Sequence, residues 1–119
     1  MKNIKNISNI IKALADEGRL RIVILLLAKT GLCVCEIKEV IGLSQPTISS
    51  HLKQLVSAGI LDYKKEGLWV NYSISEEIDS NIRKIIENLY ILLQQDGQIK
   101  EDIRKIKRVD RKSICQRKT

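Results

Sequence analysis

Phenylalanine is absent, and one tryptophan with three tyrosines brings the aromatics to only 3% of the 119 residues. A core must therefore be built mainly from Ile, Leu and Val, a composition that suits helices packed on aliphatic ridges. The chain also lacks the groups on which catalysis runs. It has one histidine, His51, with no metal-hydrolase spacing, no Gly-rich phosphate loop and no Ser/His/Asp set, so neither an enzyme nor a permanent cofactor is expected. Before Lys12 and Asp16 there is no unbroken apolar stretch of the kind a signal peptide requires. The nearly apolar run from Leu20 to Ala28 is far too short to cross a bilayer. A cytoplasmic protein without a membrane partner is the expectation. Three cysteines, Cys33, Cys35 and Cys115, form an odd set without a secretory signal, which argues against a disulfide framework and for reduced thiols open to chemistry.

What is present is enough for one ordinary domain, since 44% of the residues are apolar. The formal charge of +7 points to a polyanionic partner, nucleic acid or an anionic surface. Its distribution is uneven. Residues 1–95 carry 12 basic and 10 acidic groups, whereas residues 96–119 carry 9 basic and 4 acidic ones. The basic character thus belongs largely to a C-terminal extension, 96–119, expected to be partly helical or mobile, beyond a main domain of residues 1–95.

Ile4, Ile7, Ile11 and Leu14 recur at helical spacing and predict an amphipathic first helix ending near Asp16 to Gly18. Arg19 to Lys29 is apolar on nearly every side, the pattern of a central buried helix, with Gly31 as its expected left-handed cap. A short helix is expected from about Cys35 to Ile41, stopped by Gly42. Ser44 then offers an N-cap hydroxyl and Pro46 falls in the first turn of a helix from Gln45 to Ala58. Leu61 to Lys65 and Leu68 to Ile74 read as strands around a Glu66-Gly67 turn, with Val70, Tyr72 and Ile74 pointing inward. A long helix from Ser75 through Gln95 carries the stripe Ile78, Ile82, Ile85, Ile86, Leu89, Leu92 and Leu93, more apolar face than one small domain needs. After Asp96-Gly97, Ile99, Ile103 and Ile106 suggest a charged last helix and then a loose end from about Asp110.

Two short helices joined by Gly42-Leu43-Ser44 and followed by a hairpin give the order helix, turn, recognition helix, wing. The fold class is therefore mainly α with a small β-hairpin, a winged helix-turn-helix. Ile48, Leu52, Leu55 and Val56 fix one face of the second helix inward. The other face presents Gln45, Thr47, Ser49, Ser50, His51, Lys53 and Gln54, groups able to reach base edges and phosphates of double-stranded operator DNA, with Lys64 and Lys65 of the hairpin meeting the backbone. Taken singly, each could be a solvated surface group, and His51 a helix-packing residue; the ordered combination points to DNA. A protein-interaction module, with the winged helix as a docking surface, stays open as the alternative.

These residues resemble the ArsR/SmtB family of bacterial metal-responsive repressors from Ile7 to Leu93. The resemblance is carried by Lys12-Ala13-Leu14-Ala15-Asp16, Arg19-Leu20-Arg21-Ile22, Leu32-Cys33-Val34-Cys35-Glu36-Ile37, the run from Leu43 through Ser44-Gln45-Pro46-Thr47 to Leu55, and Lys65-Glu66-Gly67-Leu68-Trp69-Val70. It implies a homodimer formed through the first and last helices, which would use the surplus apolar stripes. It also implies repression of an operon for metal resistance or homeostasis, lifted by metal. Glu17-Gly18 departs from the family's usual Pro-Thr entry to the second helix, and Leu68 stands where the wing tip often has Arg.

Cys33 and Cys35 form a C-x-C whose thiolates select soft, thiophilic ions. In a regular helix residues two apart point about 200° apart, so holding one ion would require loosening of that first turn. As buried small hydrophobes, or as a redox pair, the two would need no ion. The resemblance implies the sensor and narrows the ion. Relatives that sense cadmium or lead add cysteines from an N-terminal arm, and residues 1–32 hold none. Relatives that sense zinc use His and acidic residues on the last helix, where no His occurs. Trivalent arsenic or antimony, As(III) or Sb(III), is the inducer so implied, with Cys115 as a third thiolate or an incidental one; cadmium, lead and oxidants remain as alternatives.

Overall fold

In a computed structural model the described residues are 2–111. They form α1 (Ile4–Leu14), α2 (Glu17–Ala28), α3 (Val34–Ile41), α4 (Gln45–Ser57), the antiparallel strands β1 (Leu61–Glu66) and β2 (Trp69–Ile74), α5 (Ser80–Leu93) and α6 (Gly97–Ile106). This is the expected winged helix-turn-helix: α3 and α4 joined by Gly42 to Ser44, then the hairpin. No helix among the described residues is long and apolar enough to cross a membrane.

α2 is the axis of the fold. Ile22, Val23, Ile24, Leu25 and Leu26 are each exposed by 1% or less, and α1, α3, α4, α5, α6 and β2 all pack on this helix. Burial all the way round is what a helix without a polar face requires. Asp16 caps its start by accepting the Arg19 N–H, the main reason why the Asp16 carboxyl lies below its ordinary pKa. Two arginines of α2 then act as caps for other helices. Arg19 donates to the Ala13 carbonyl at the end of α1, and Arg21 donates to the Ile41 carbonyl at the end of α3.

Arg21 also grips Asp102 of α6 with two parallel hydrogen bonds of 2.8 and 2.9 Å, and Gln98 donates to the same carboxylate. Asp102 is only 1% exposed, between the buried Ile99 and Ile106. The last helix is thereby packed against α2 and α3.

The structure moves several boundaries. Gly31 adopts the left-handed conformation but does not cap α2, which ends at the extended Lys29; the Gly31 N–H instead bonds to Tyr72. The hairpin turns at Gly67-Leu68, because Gly67 supplies the positive φ and Glu66 remains paired with Trp69. α5 starts at Ser80 under an Asp79 cap, while Ser75 spends its hydroxyl on Asp62 and the Glu77 N–H. On β2 it is Asn71 and Ile74 that are buried, with Val70 and Tyr72 half-buried, since Asn71 finds polar partners inside. On α1 the inward residues are Ile7, Ile10, Ala13 and Leu14, which leaves Ile4 and Ile11 outside.

Removing one partner of a buried ion pair strands the other in a medium that solvates it poorly. Asp102→Ala is therefore expected to lower the unfolding free energy by roughly 3 kcal/mol or more, measured by urea denaturation, while Asp102→Asn loses less because it keeps an acceptor for Arg21.

Candidate nucleic-acid interface and thiol site

α4 is built to be held on one side and to read on the other. Ile48, Leu52 and Leu55 are fully buried, whereas Gln45, Thr47, Ser49, Ser50, Lys53 and Gln54 are exposed. The helix starts sharply: Ser44 accepts the Thr47 N–H, its hydroxyl meets that of Thr47 at 2.8 Å, and Pro46 stands in the first turn, where a missing donor costs little. On this face Thr47 is engaged by Ser44, and Gln54 donates to Ser50 at a long 3.4 Å.

His51 departs from this group. Its side chain is 13% exposed and turned toward the start of α2, with Nε2 3.6 Å from Asp16, and its Nδ1 is buried with no hydrogen-bond partner among the described residues. A Cβ on residue 18 would lie 2.9 Å from that Nε2, so Gly18 makes room for the imidazole. The unusual glycine after Glu17 thus has a packing reason. Lys64 and Lys65 are both exposed, but a strand turns successive side chains to opposite faces. Lys64 shares its face with Asp62 and Glu66, Lys65 with Tyr63, so the two lysines do not form one patch. Leu68, at the hairpin tip, is 97% exposed.

The thiols lie at the start of α3. Cys33 is the N-cap of α3, in extended conformation with φ −87° and ψ 169°, and Cys35 follows in the first turn. Cys33 stands before the helix in that extended N-cap and packs against Cys35, Trp69 of the wing and Val109 beyond α6. Cys33 is buried and Cys35 half-buried. Glu36, itself only 4% exposed, closes the cap by accepting the Cys33 N–H at 3.0 Å.

Two features here were not read from the sequence. Leu32, next to Cys33, forms a short bridge with Tyr72, exchanging both backbone hydrogen bonds, so the thiol segment adds a third stretch to the wing sheet. Arg111 reaches in from the C-terminal segment, donating to Glu36, to the Gly31 carbonyl and to Asn71, with its guanidinium 5.1 Å from the centre of the Trp69 ring. The buried acid at the third position of α3 and the buried Asn71 are the signals that a basic partner had to be nearby. Among the described residues no group of three or more Cys, His, Asp and Glu is gathered for a metal. Cys115 lies outside the described residues.

The family profile for "Bacterial regulatory protein, arsR family" matches residues 16–63, from the cap of α2 to β1. Over 108 residues the chain is 39% identical to the arsenical resistance operon repressor of Escherichia coli (strain K12), covering 87% of this chain and 91% of that protein. The chain belongs to the ArsR family. In three dimensions this ArsR-family chain is similar to HlyU from Vibrio cholerae N16961, with a TM-score of 0.70, 34% identity, and coverage of 79% of this chain and 98% of that one. It shares its fold with a homodimeric winged helix-turn-helix DNA-binding domain, Mb0332 from Mycobacterium bovis, at a TM-score of 0.65 and 24% identity over 79% of this chain and 83% of that one. The protein is a winged-helix, DNA-binding transcription regulator of this family.

The cap on α4 has a measurable value. Ser44→Ala is expected to cost about 1 kcal/mol of stability in denaturant unfolding, the usual worth of such a side-chain cap, and to weaken DNA binding by fraying the turn that carries Thr47.

Proposed function

We propose that the protein represses a metalloid-resistance operon as a homodimer and leaves its operator when trivalent arsenic or antimony binds Cys33 and Cys35. One observation carries this reading: the two thiols pack together at the cap of α3, the helix directly before the recognition helix. The similarity to an arsenical resistance repressor supports it further. Thiolates are the donors that soft, thiophilic ions prefer. A pyramidal ion would take a third sulfur, and Cys115 is four residues beyond Arg111, a reach of at most about 14 Å in an extended chain. Because Arg111 is bonded to Gly31 and Glu36, that reach starts beside the C-x-C.

On the DNA side, Gln45, Thr47, Ser49, Ser50, Lys53 and Gln54 of α4 enter the major groove, and Lys64 or Lys65 meets phosphates. His51 serves to seat α4 on α2 instead of reading bases. Repression needs two such helices one helical turn apart, which a two-fold dimer supplies. The surface for it is the apolar stripe left uncovered on α1 and α5, since the last helix, α6, packs on α2 and α3 of its own chain: Ile4, Ile11, Ile85, Ile91 and Leu92 are all more than half exposed. A stripe of that extent on a small protein marks an interface, and a second copy of this chain brings a matching one.

The double variant Cys33→Ser, Cys35→Ser is expected to bind operator DNA and to hold it at arsenite concentrations that release the wild type, as read by fluorescence anisotropy of a labelled duplex. Release of the double variant at the wild-type concentration would overturn the sensor assignment. Ile91→Asp with Leu92→Asp is expected to convert the dimer to a monomer in sedimentation experiments and to abolish tight operator binding.

A further inference from the structure

The residues around Arg111 form a connection that neither DNA binding nor thiol chemistry by itself requires. Glu36 is an almost fully buried carboxylate, and a charge in that position needs a partner. It has two. One Glu36 oxygen, Oε1, accepts the Cys33 N–H at 3.0 Å and the Arg111 guanidinium at 2.9 Å. The same guanidinium holds the Gly31 carbonyl at 3.0 Å, bonds to the Asn71 side chain and lies over Trp69. Asn71 in turn donates to Glu66 near the hairpin turn. One side chain thus joins the loop before the thiols, the cap of the thiol helix and β2 of the wing, with β1 one hydrogen bond further through Glu66.

Cys33 is buried beneath this assembly, 4% exposed, with Trp69 and Val109 against it. A ligand that takes both sulfurs has to reach Cys33 beneath this cover. The bonds that hold the cover shut are those of the Cys33 N–H to Glu36 and of Glu36 to Arg111.

We infer that Arg111 is the latch of the thiol site: it keeps the α3 cap closed over Cys33 and ties that cap to the wing through Asn71 and Trp69, so that opening one loosens the other. Arg111 is a positioning residue, acting through Glu36 without being a ligand itself. The link to arsenic rests on the proposed function; the latch itself does not. By linkage, whatever stabilises the closed cap opposes the ligand and favours the DNA-bound form.

The test compares full-length wild type with Arg111→Ala and Arg111→Lys. Alkylation of Cys33 by iodoacetamide, followed by peptide mass spectrometry, is expected to speed up about tenfold or more in Arg111→Ala, the change that follows when the opening equilibrium shifts by that factor. Arg111→Lys, which keeps the charge beside Glu36 but not the fork, is expected to fall between. If Arg111→Ala does not fold, the lysine variant carries the test alone. Hydrogen exchange separates a latch from general stabilisation: amides 31–36 and 69–73 exchange faster while those of α2 keep the wild-type rate. Equal alkylation of Cys33 in variant and wild type, or an increase in exchange spread evenly through α2, would overturn the latch. In the same variants the arsenite concentration that releases DNA is expected to drop severalfold. Wild type that keeps its DNA in arsenite, with Cys33 still more reactive in Arg111→Ala, would refute the arsenic reading and leave the latch standing.

Discussion

Five consecutive residues of α2, Ile22 to Leu26, are sealed from solvent, and six of the other seven elements take their positions from that rod. A helix with no polar face cannot be satisfied by one neighbour, so its burial forces α1, α3, α4, α5, α6 and β2 to surround it. The polar ends of the same helix finish the job. Arg19 and Arg21 reach out to carbonyls at the ends of α1 and α3, groups that a helix leaves without internal partners. The recognition helix is therefore aimed by aliphatic contact with α2 through Ile48, Leu52 and Leu55, and its polar face is left free for DNA.

Much of this could be read in advance, for reasons that are local. The period of Ile48, Leu52 and Leu55, the Ser44 hydroxyl and Pro46 all act within one turn of the helix they specify, and the structure begins α4 at Gln45 as they require. The same is true of Gly42, whose left-handed conformation ends α3. The misreadings arose where a residue's partner is distant in the chain. Ser75 looked like a helix cap, but Asp62 competes for its hydroxyl. Asn71 and Asp102, which no local pattern marks out, are each buried because an arginine 40 or 81 positions away reaches them. His51 has the spacing of the reading face, but the space left by Gly18 draws it toward α2. Periodicity reports which face of an element is apolar; it carries nothing about which long side chain will arrive from elsewhere.

The same limit applies to the thiols. Spacing alone sets two cysteines on a helix and asks how one ion could bridge them. The fold changes that question, because Cys33 stands outside the helix as its cap, backed by the Leu32 bridge to β2. The Leu32 backbone bonds to the wing on one side, and the Cys33 N–H bonds to Glu36 on the other. A change at Cys33 is mechanically connected to both parts of the DNA-binding motif, α3 below the recognition helix and the hairpin beside it. With the latch proposed above, such a cap would have a closed and an open state, the kind of element through which a small ligand shifts a population of states.

Trp69 lies against Cys33 and under the Arg111 guanidinium. It is also the single tryptophan in the chain. Its indole, carried by the first residue of β2, borders Cys33 and the Arg111 guanidinium at once. Fluorescence excited at the red edge of the ultraviolet band, where tyrosine no longer absorbs, therefore comes from one place, and that place is the junction of the thiol segment and the wing. The molecule carries its own optical probe against Cys33.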